Sequence, residues 1–489
     1  MGICRREFGA CLLAGAGRAL LGAPPRAKLL VIVLLEQFRP ECLEPLRPYL
    51  ASGGFRRLIE KGAFFNNCIH EASTFSSSAI ATLATGAWPA QHGIVADLWY
   101  ERSIKQPIPP TDEDLLSTTL AQQVAVDPNA RLTVIALDRA PAAIFAGAPE
   151  ARLFWLDDEA QFTANTDPPI WLAPFNAQQN AAARNTAWRA LGAKPDAPPL
   201  RTLTFDPSRP RDFAAIYRAS PYAQNAQFDL AAELIQRENI GKSGALEVLC
   251  IIAGSMAQLG HETGANSPLM QQMTLRLDQR LEGLLALLSK TPGEGAFNFV
   301  LAGAHGAPPE PAEEARARMA VSGEQVAQTI DRALAAAGSG RVEKYVYPFL
   351  YLNTTGFRDP EPIRQMAVRA AMKHPAVAGY YTAGGFCSAP PDWERRYRNS
   401  FHPERSGDVM LSYRPEYVEA LAQGRGVSYG SLYNYDARVP LCFYGPQFRA
   451  GQFEQTVQSV DVAPTLARAL GVAVPSSSIG RVLGEALAE

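Results

Sequence analysis

The chain has 489 residues, 47% of them apolar and 19% charged, a composition that builds a packed core and excludes a disordered, solvating polymer. Its 46 Lys and Arg against 48 Asp and Glu leave a net charge of −2, without the basic excess of a protein that lives on nucleic-acid phosphates, so no nucleic-acid partner is expected. No apolar run reaches the roughly 18–20 residues needed to span a bilayer, and at about 150 residues per domain the length fits either about three domains or one large α/β domain with insertions.

Residues 1–23, MGICRREFGACLLAGAGRALLGA, place Arg5, Arg6 and Phe8 ahead of a short stretch of small residues and leucines. This pattern is expected to be a twin-arginine export signal, delivering residues 24–489 to the bacterial periplasm or the exterior. Arg18 interrupts the apolar stretch, and a disordered cytosolic leader is the alternative. Beyond the leader, Cys42, Cys68, Cys250, Cys387 and Cys442 fall at wide, irregular spacings. They include no CxxC, so neither a zinc ribbon nor a c-type haem is indicated, and several of them lie in apolar runs and read as small buried residues.

The first strong element is LLVIVLL at 29–35, a continuous apolar run expected of a strand buried on both faces of a parallel sheet. A helical pattern is expected through 40–62, then a strand at AFFNNCI and a helix over 77–85 ending at Gly86. RLTVIAL at 131–137, LEVLCII at 246–252 and FNFVLA at 297–302 read as further buried strands. A long helix is expected over 267–288, a late strand at VPLCFY and a last helix over 462–470. Strands alternating with helices predict a doubly wound, mostly parallel central sheet flanked by helices. Two stretches break the alternation: 157–222 is rich in Pro, Asn, Gln and Trp, and 355–428 is irregular and aromatic. Both are expected to be irregular cap insertions over the site.

Ligands of open α/β sheets bind beyond the carboxyl ends of the strands. The residues that follow the expected strands, or open the helix after them, are Glu36, Ser76, His261 and His305. Each alone reads as a cap or loop hydrogen-bonder: Ser76 as a helix N-cap for which Ser73 or Thr74 could substitute, the two histidines as space-filling groups. His70, His92, His374 and His402 show no partner pattern and read as structural or exposed.

The segments STFSSSAIATLATGAWPAQHGIVAD, ARLFWLDDEAQFTAN, LGHETGANS, LAGAHG, YNYDARVPLCFYGP and SVDVAPTLARALG, in this order, resemble the alkaline phosphatase superfamily, and within it the bacterial phosphatase and type I phosphodiesterase/nucleotide pyrophosphatase branch. The resemblance covers roughly residues 28–487. It implies two zinc ions about 4 Å apart, held by about six Asp and His ligands, and a Thr or Ser nucleophile at a helix N-terminus.

Carried over position by position, that pattern is broken. Glu36 stands where the family has Asp, Ser76 at the nucleophile position, Ala257 and Ala304 where it has two further Asp, and Tyr429 where it has a late His; His261 and His305 remain. In the phosphate clamp, Asp97 replaces an Asn and Leu137 a Lys, while Arg139 remains. Asp97 would repel a phosphate dianion at close range.

The resemblance with these losses implies an exported relative whose two-zinc site is largely dismantled. It would be non-catalytic, with a phosphoester-like small molecule or a protein partner in the old cleft. No tightly bound cofactor is expected. The alternative is an active hydrolase of phosphate mono- or diesters that uses Ser76 without metal, or with one zinc on Glu36, Ser76 and His305 and a water as fourth donor. In the emptied cleft, Glu36 is expected to pair with Arg139 or another cation.

Overall fold

The computed structural model describes residues 26–308, 320–415, 417–420 and 428–488. The expected export signal at 1–23 lies outside the described residues. A ten-stranded sheet forms the centre. Its main strands are β1 (Leu29–Leu35), β2 (Ala63–Ile69), β3 (Arg131–Ile135), β4 (Arg152–Leu156), β5 (Glu247–Ala253), β6 (Phe297–Gly303) and β7 (Arg438–Tyr444). Across the sheet they run β2-β7-β6-β1-β5-β3-β4, with Gly451–Phe453 and Phe162–Ala164 as outer strands. β1 pairs in parallel with β5 and β6, and β5-β3-β4 continues in parallel. Only β7 and Phe162–Ala164 run against their neighbours in this series.

All seven residues of β1 are buried because both faces of the sheet are covered. Leu30, Ile32 and Leu34 pack into the core on one side, and Leu29, Val31, Val33 and Leu35 into the core on the other. That is the period-two alternation of a strand read twice, once for each face. Leu35 stands level with Ala253 and Gly303, so the chain leaves three adjacent strands at the same height.

The expected helix over 40–62 is mostly absent. Two 3₁₀ turns, Pro40–Leu43 and Arg47–Tyr49, precede a short helix at Phe55–Lys61. Pro40, Pro45 and Pro48 remove the amide donors a continuous helix needs. The Gly53-Gly54 turn is held by Asp278, which accepts from the amides of Ala51 (2.5 Å) and Phe55 (2.8 Å).

The two stretches expected as irregular caps contain regular structure. Residues 157–222 add the outer strand Phe162–Ala164 to the central sheet, then the helix Leu172–Ala183, the hairpin Thr186–Trp188/Arg201–Leu203 and the helix Pro210–Arg218. Arg218 ties this segment to the carboxyl ends of β3 and β4, donating to the carbonyls of Leu137 (2.7 Å) and Leu156 (2.6 Å). The described part of 355–428 supplies three strands of a second, five-stranded sheet that begins earlier, at Arg341–Val346 and Phe349–Asn353, while its Val418–Glu419 pairs with Ala320–Val321. That sheet has its own core, with Val326, Ile330, Leu350, Val368 and Leu411 buried together. The cis peptide between Tyr347 and Pro348 sits in the turn between its first two strands.

Candidate functional site

β1, β3, β5 and β6 point their carboxyl ends at one rim, and β2, antiparallel to β7, delivers its own end there too. After β2, residues 70–75 lead into helix α1 (Ser76–Thr85), whose ten residues are all buried. The second sheet's side of the molecule braces this lead-in: the Ser73 amide donates to Ser400 Oγ (2.7 Å), and Asn399 donates to the Glu71 carbonyl (2.8 Å).

Ser76 is not the N-cap of α1. Phe75 holds that position, and its own side chain makes no capping hydrogen bond. The Ser76 hydroxyl therefore turns away from the backbone. Its Oγ lies 2.9 Å from His305 Nε2 and 3.1 Å from the Tyr429 hydroxyl. Ser73 and Thr74 cap nothing either; the Thr74 hydroxyl donates to the Ser431 carbonyl (3.2 Å).

His305 follows β6 and is fully buried. Its backbone is pinned on both sides: its carbonyl accepts from the Phe38 amide (2.9 Å), and the Gly306 amide donates to the Asp436 carbonyl (2.7 Å). Residue 306 must be glycine, because a Cβ there would stand 2.0 Å from the Tyr435 carbonyl oxygen. His305 Nδ1 lies 2.8 Å from the Gly306 carbonyl. A carbonyl only accepts, so Nδ1 carries the hydrogen and Nε2 presents its lone pair to Ser76. Burial pushes the imidazole down to about 3, against the Gly306 carbonyl, which favours the charged form, and with help from nearby His261 and His70.

Tyr429 occupies the middle of the cluster. Its ring stacks on His305 with centroids 4.1 Å apart and lies 4.9 Å from the His261 ring. Its hydroxyl donates to Asp97 Oδ2 at 3.0 Å. Burial, then the charges of Asp97 and Glu36, hold the phenol well above its ordinary value, so it stays neutral. Gly430 lets the chain place this ring: its φ is 101°, and a Cβ would stand 2.4 Å from the Phe75 ring. Asp97 also accepts from the Ser77 amide at 2.7 Å, so its carboxylate sits on the positive end of α1, where an oxyanion would otherwise bind.

Glu36 leaves the end of β1 and is buried, with Oε1 lacking a hydrogen-bond partner. Burial raises its carboxyl to about 7; a hydrogen bond with Ser76 opposes the shift, and Asp97 and Asp138 add to it. Among the described residues it makes no ion pair. Arg139, expected as a partner, opens helix α2 (Arg139–Ala146) as an exposed residue, its guanidinium 5.9 Å from the centre of the Trp155 ring. Helix α3 (Ser255–Thr263) carries the buried Ala257 and the half-buried His261. Ala304 is fully buried beside His305. The structure thus brings Glu36, Ser76, Asp97, His261, His305 and Tyr429 together and leaves Arg139 at the margin. Of the other histidines, His70 and His92 are buried and held neutral at low values by burial; His92 Nε2 lies 3.1 Å from the Thr82 hydroxyl.

Three features lie beyond the sequence reading, and only the last had a signal. The Ser76–His305 contact joins residues 229 positions apart. Buried Gln37 adopts a left-handed backbone, φ 53°, and its side-chain amide finds no partner. Asp436, buried and raised to about 7 by its burial, accepts from the Ser431 amide (2.9 Å) and so fixes the turn after Tyr429. The YNYD segment that contains Asp436 was the signal available.

A parallel-centred sheet, a hydroxyl at a helix N-terminus on its carboxyl rim and two histidines beside it define an α/β protein of the alkaline phosphatase superfamily. The profile of the type I phosphodiesterase / nucleotide pyrophosphatase family matches residues 30–424, and the chain belongs to that family. The chain is 24% identical over 539 residues to the alkaline phosphatase PafA of Elizabethkingia meningoseptica, covering 96% of each. It is 25% identical over 519 residues to the alkaline phosphatase PhoV of Synechococcus elongatus, covering 94% of this chain and 93% of the relative. The crystal structure of PafA superposes with a TM-score of 0.83 at 21% identity, over 95% of this chain and all of that one. Phosphonoacetate hydrolase from Sinorhizobium meliloti shares the fold more distantly, with a TM-score of 0.56 at 14% identity over 91% of this chain and 96% of its own.

Proposed function

We propose that this chain is an exported member of its family that has lost two-zinc phosphoester hydrolysis and uses the old cleft for binding. The observation that carries this reading is Tyr429, whose ring lies against both His261 and His305 and whose hydroxyl engages Ser76 and Asp97. A bulky phenol fills the space between the two histidines that the family resemblance assigns to metal. The donor set does not fit two zinc ions. Ala257 and Ala304 offer methyl groups in place of carboxylates, and both ring nitrogens of His305 are engaged, by Ser76 and by the Gly306 carbonyl. Among the described residues, no group of three or more His, Cys, Asp or Glu is gathered as a metal site would need.

The phosphate position is also altered. The Asp97 carboxylate takes the Ser77 amide at the start of α1, and Leu137 contributes no cation. The one-zinc alternative on Glu36, Ser76 and His305 would have to break the Ser76–His305 hydrogen bond to free its single nitrogen donor. Export rests on the pattern of residues 1–23. Among the described residues no helix is long and apolar enough to cross a membrane.

The test is the metal content of the purified full-length protein after dialysis, measured with hydrolysis of p-nitrophenyl phosphate and bis-p-nitrophenyl phosphate. Less than one zinc per chain and no turnover above the Ser76→Ala background are expected. Two zinc ions that survive dialysis, or vigorous turnover abolished by Ser76→Ala, would overturn the reading.

A further inference from the structure

We propose that the groove between the helices Pro221–Arg237 and Pro268–Leu288 binds one single-chain amphipathic carboxylate, its head on Arg276 and its tail along Gly283 toward Leu287. The groove shares no residue with the old cleft, so the proposal is independent of how that cleft is read.

Two side-chain contacts set these helices side by side. Gln224 donates to the Met273 carbonyl (3.3 Å), and Arg280 donates to Asp229 Oδ1 (2.8 Å). Residue numbers rise together in the two contacts, so the helices run in the same direction. Between them lies a groove of about 420 Å³. Phe228 and Leu284, both buried, form its floor. Gly283 lies inside a 21-residue helix, where glycine is less favourable than alanine. Packing does not require it, because an added Cβ would meet no heavy atom beyond its own turn of helix within 4 Å. What the missing side chain does is keep the groove open.

The two ends of the groove differ in character. At one end, Arg280 is committed to Asp229, whose other oxygen accepts from Gln179 (3.4 Å). Half-buried Arg276 has no carboxylate: among the described residues its guanidinium makes one hydrogen bond, from Nη2 to the Arg189 carbonyl (3.0 Å). Burial pulls its titration below the ordinary arginine range; Tyr222 opposes the shift and Arg280 adds to it. Arg276 and Arg280 against Asp229 leave the lining net positive. A carboxylate supplies the opposite charge and two acceptors matched to the guanidinium fork. At the other end, Leu284 and Leu287 offer apolar surface. At 1.5 Å per helical residue, Arg276 and Leu287 stand about 16 Å apart along the axis, room for an extended alkyl chain behind the charged head.

The full chain is titrated by isothermal calorimetry with decanoate below its micelle concentration. One site per chain is expected, with affinity rising about fourfold for each methylene from hexanoate to decanoate. Arg276→Met should weaken decanoate by about 10- to 100-fold, the scale of a lost hydrogen bond to a charged group. Gly283→Leu puts a side chain into the open space and should abolish binding without lowering the melting temperature. Decanol, which keeps the tail and lacks the charge, should bind as weakly to wild type as decanoate binds to Arg276→Met. Decanol binding as tightly as decanoate, equal decanoate affinity in wild type and either variant, or no heat with wild type would overturn the proposal. Binding to phosphatidylglycerol vesicles that Arg276→Met removes, with no decanoate site, would assign the groove to a bilayer surface instead and overturn it too. If Arg276→Met does not fold by circular dichroism, Gly283→Leu and the decanol comparison decide.

Discussion

Glu36 shows how one buried carboxyl couples this cleft to pH. Its folded value is about 7 because burial disfavours the charged form, whereas in the unfolded chain it titrates near 4.5. Between those values the native state binds more protons than the unfolded one, so Glu36 costs increasing stability as pH rises from about 4.5 toward 7. At one pKa unit per 1.36 kcal/mol, the full penalty above pH 7 is on the order of 3 kcal/mol. Glu36→Gln removes the titration and keeps a polar group that can still meet Ser76. The variant is expected to match wild type in urea unfolding at pH 4.5 and to exceed it at pH 8. A gap that does not grow with pH would show that Glu36 is ionised in the folded protein or relieved by a partner. Asp436, raised from 3.8 to about 7, penalises stability in the same direction, so wild type itself should weaken as pH rises from about 4 to about 7 and level off above.

At the scale of elements, the turn that carries Tyr429 depends on one glycine. Gly430 has φ 101°, and the space for a side chain is filled by the Phe75 ring, which also forms the N-cap residue of α1. Gly430→Ala is therefore expected to lose roughly 1–3 kcal/mol from the backbone alone. It should also displace Tyr429, exposing its hydroxyl and raising the quenching of its fluorescence by acrylamide. A variant with unchanged melting temperature would show that the turn tolerates rearrangement. The contrast between this turn and the central strands shows what the sequence could disclose. Continuous apolar runs such as LLVIVLL identify strands buried on both faces, because only that environment excludes every polar side chain. The second sheet was not legible. Arg341–Val346 mixes charged and apolar residues without strict alternation, and the sheet's strands pair with partners up to about 60 positions away, as Phe349 with Met410. The histidine and serine positions could be read from motif order, but the bond between Tyr429 and Asp97 spans 332 positions and has no local pattern.

For the whole molecule, the separation of fold from chemistry gives the strongest test. The fold follows PafA over nearly the full chain, while among the described residues no three His, Cys, Asp or Glu side chains are gathered as a metal site would need. If the scaffold is intact and only donors are missing, replacing donors should restore metal before it restores chemistry. A variant carrying Ala257→Asp, Ala304→Asp and Tyr429→His regains three donors beside His261 and His305 and removes the phenol between them. It is expected to bind zinc, read by elemental analysis and by a rise in melting temperature with added zinc, since a ligand of the native state alone stabilises it by mass action. Phosphatase activity should stay weak, because Asp97 still occupies the positive end of α1 and Leu137 still supplies no cation. Adding Asp97→Asn and Leu137→Lys should then raise kcat/KM for p-nitrophenyl phosphate by a further 10- to 1,000-fold, about the effect of one or two oxyanion-stabilising groups. Failure of the triple variant to bind zinc, with its fold intact by circular dichroism, would mean that the rim itself has moved and that the proposed loss of metal is built into the backbone. Activity already complete in the triple variant would mean that Asp97 and Leu137 do not oppose phosphate at all.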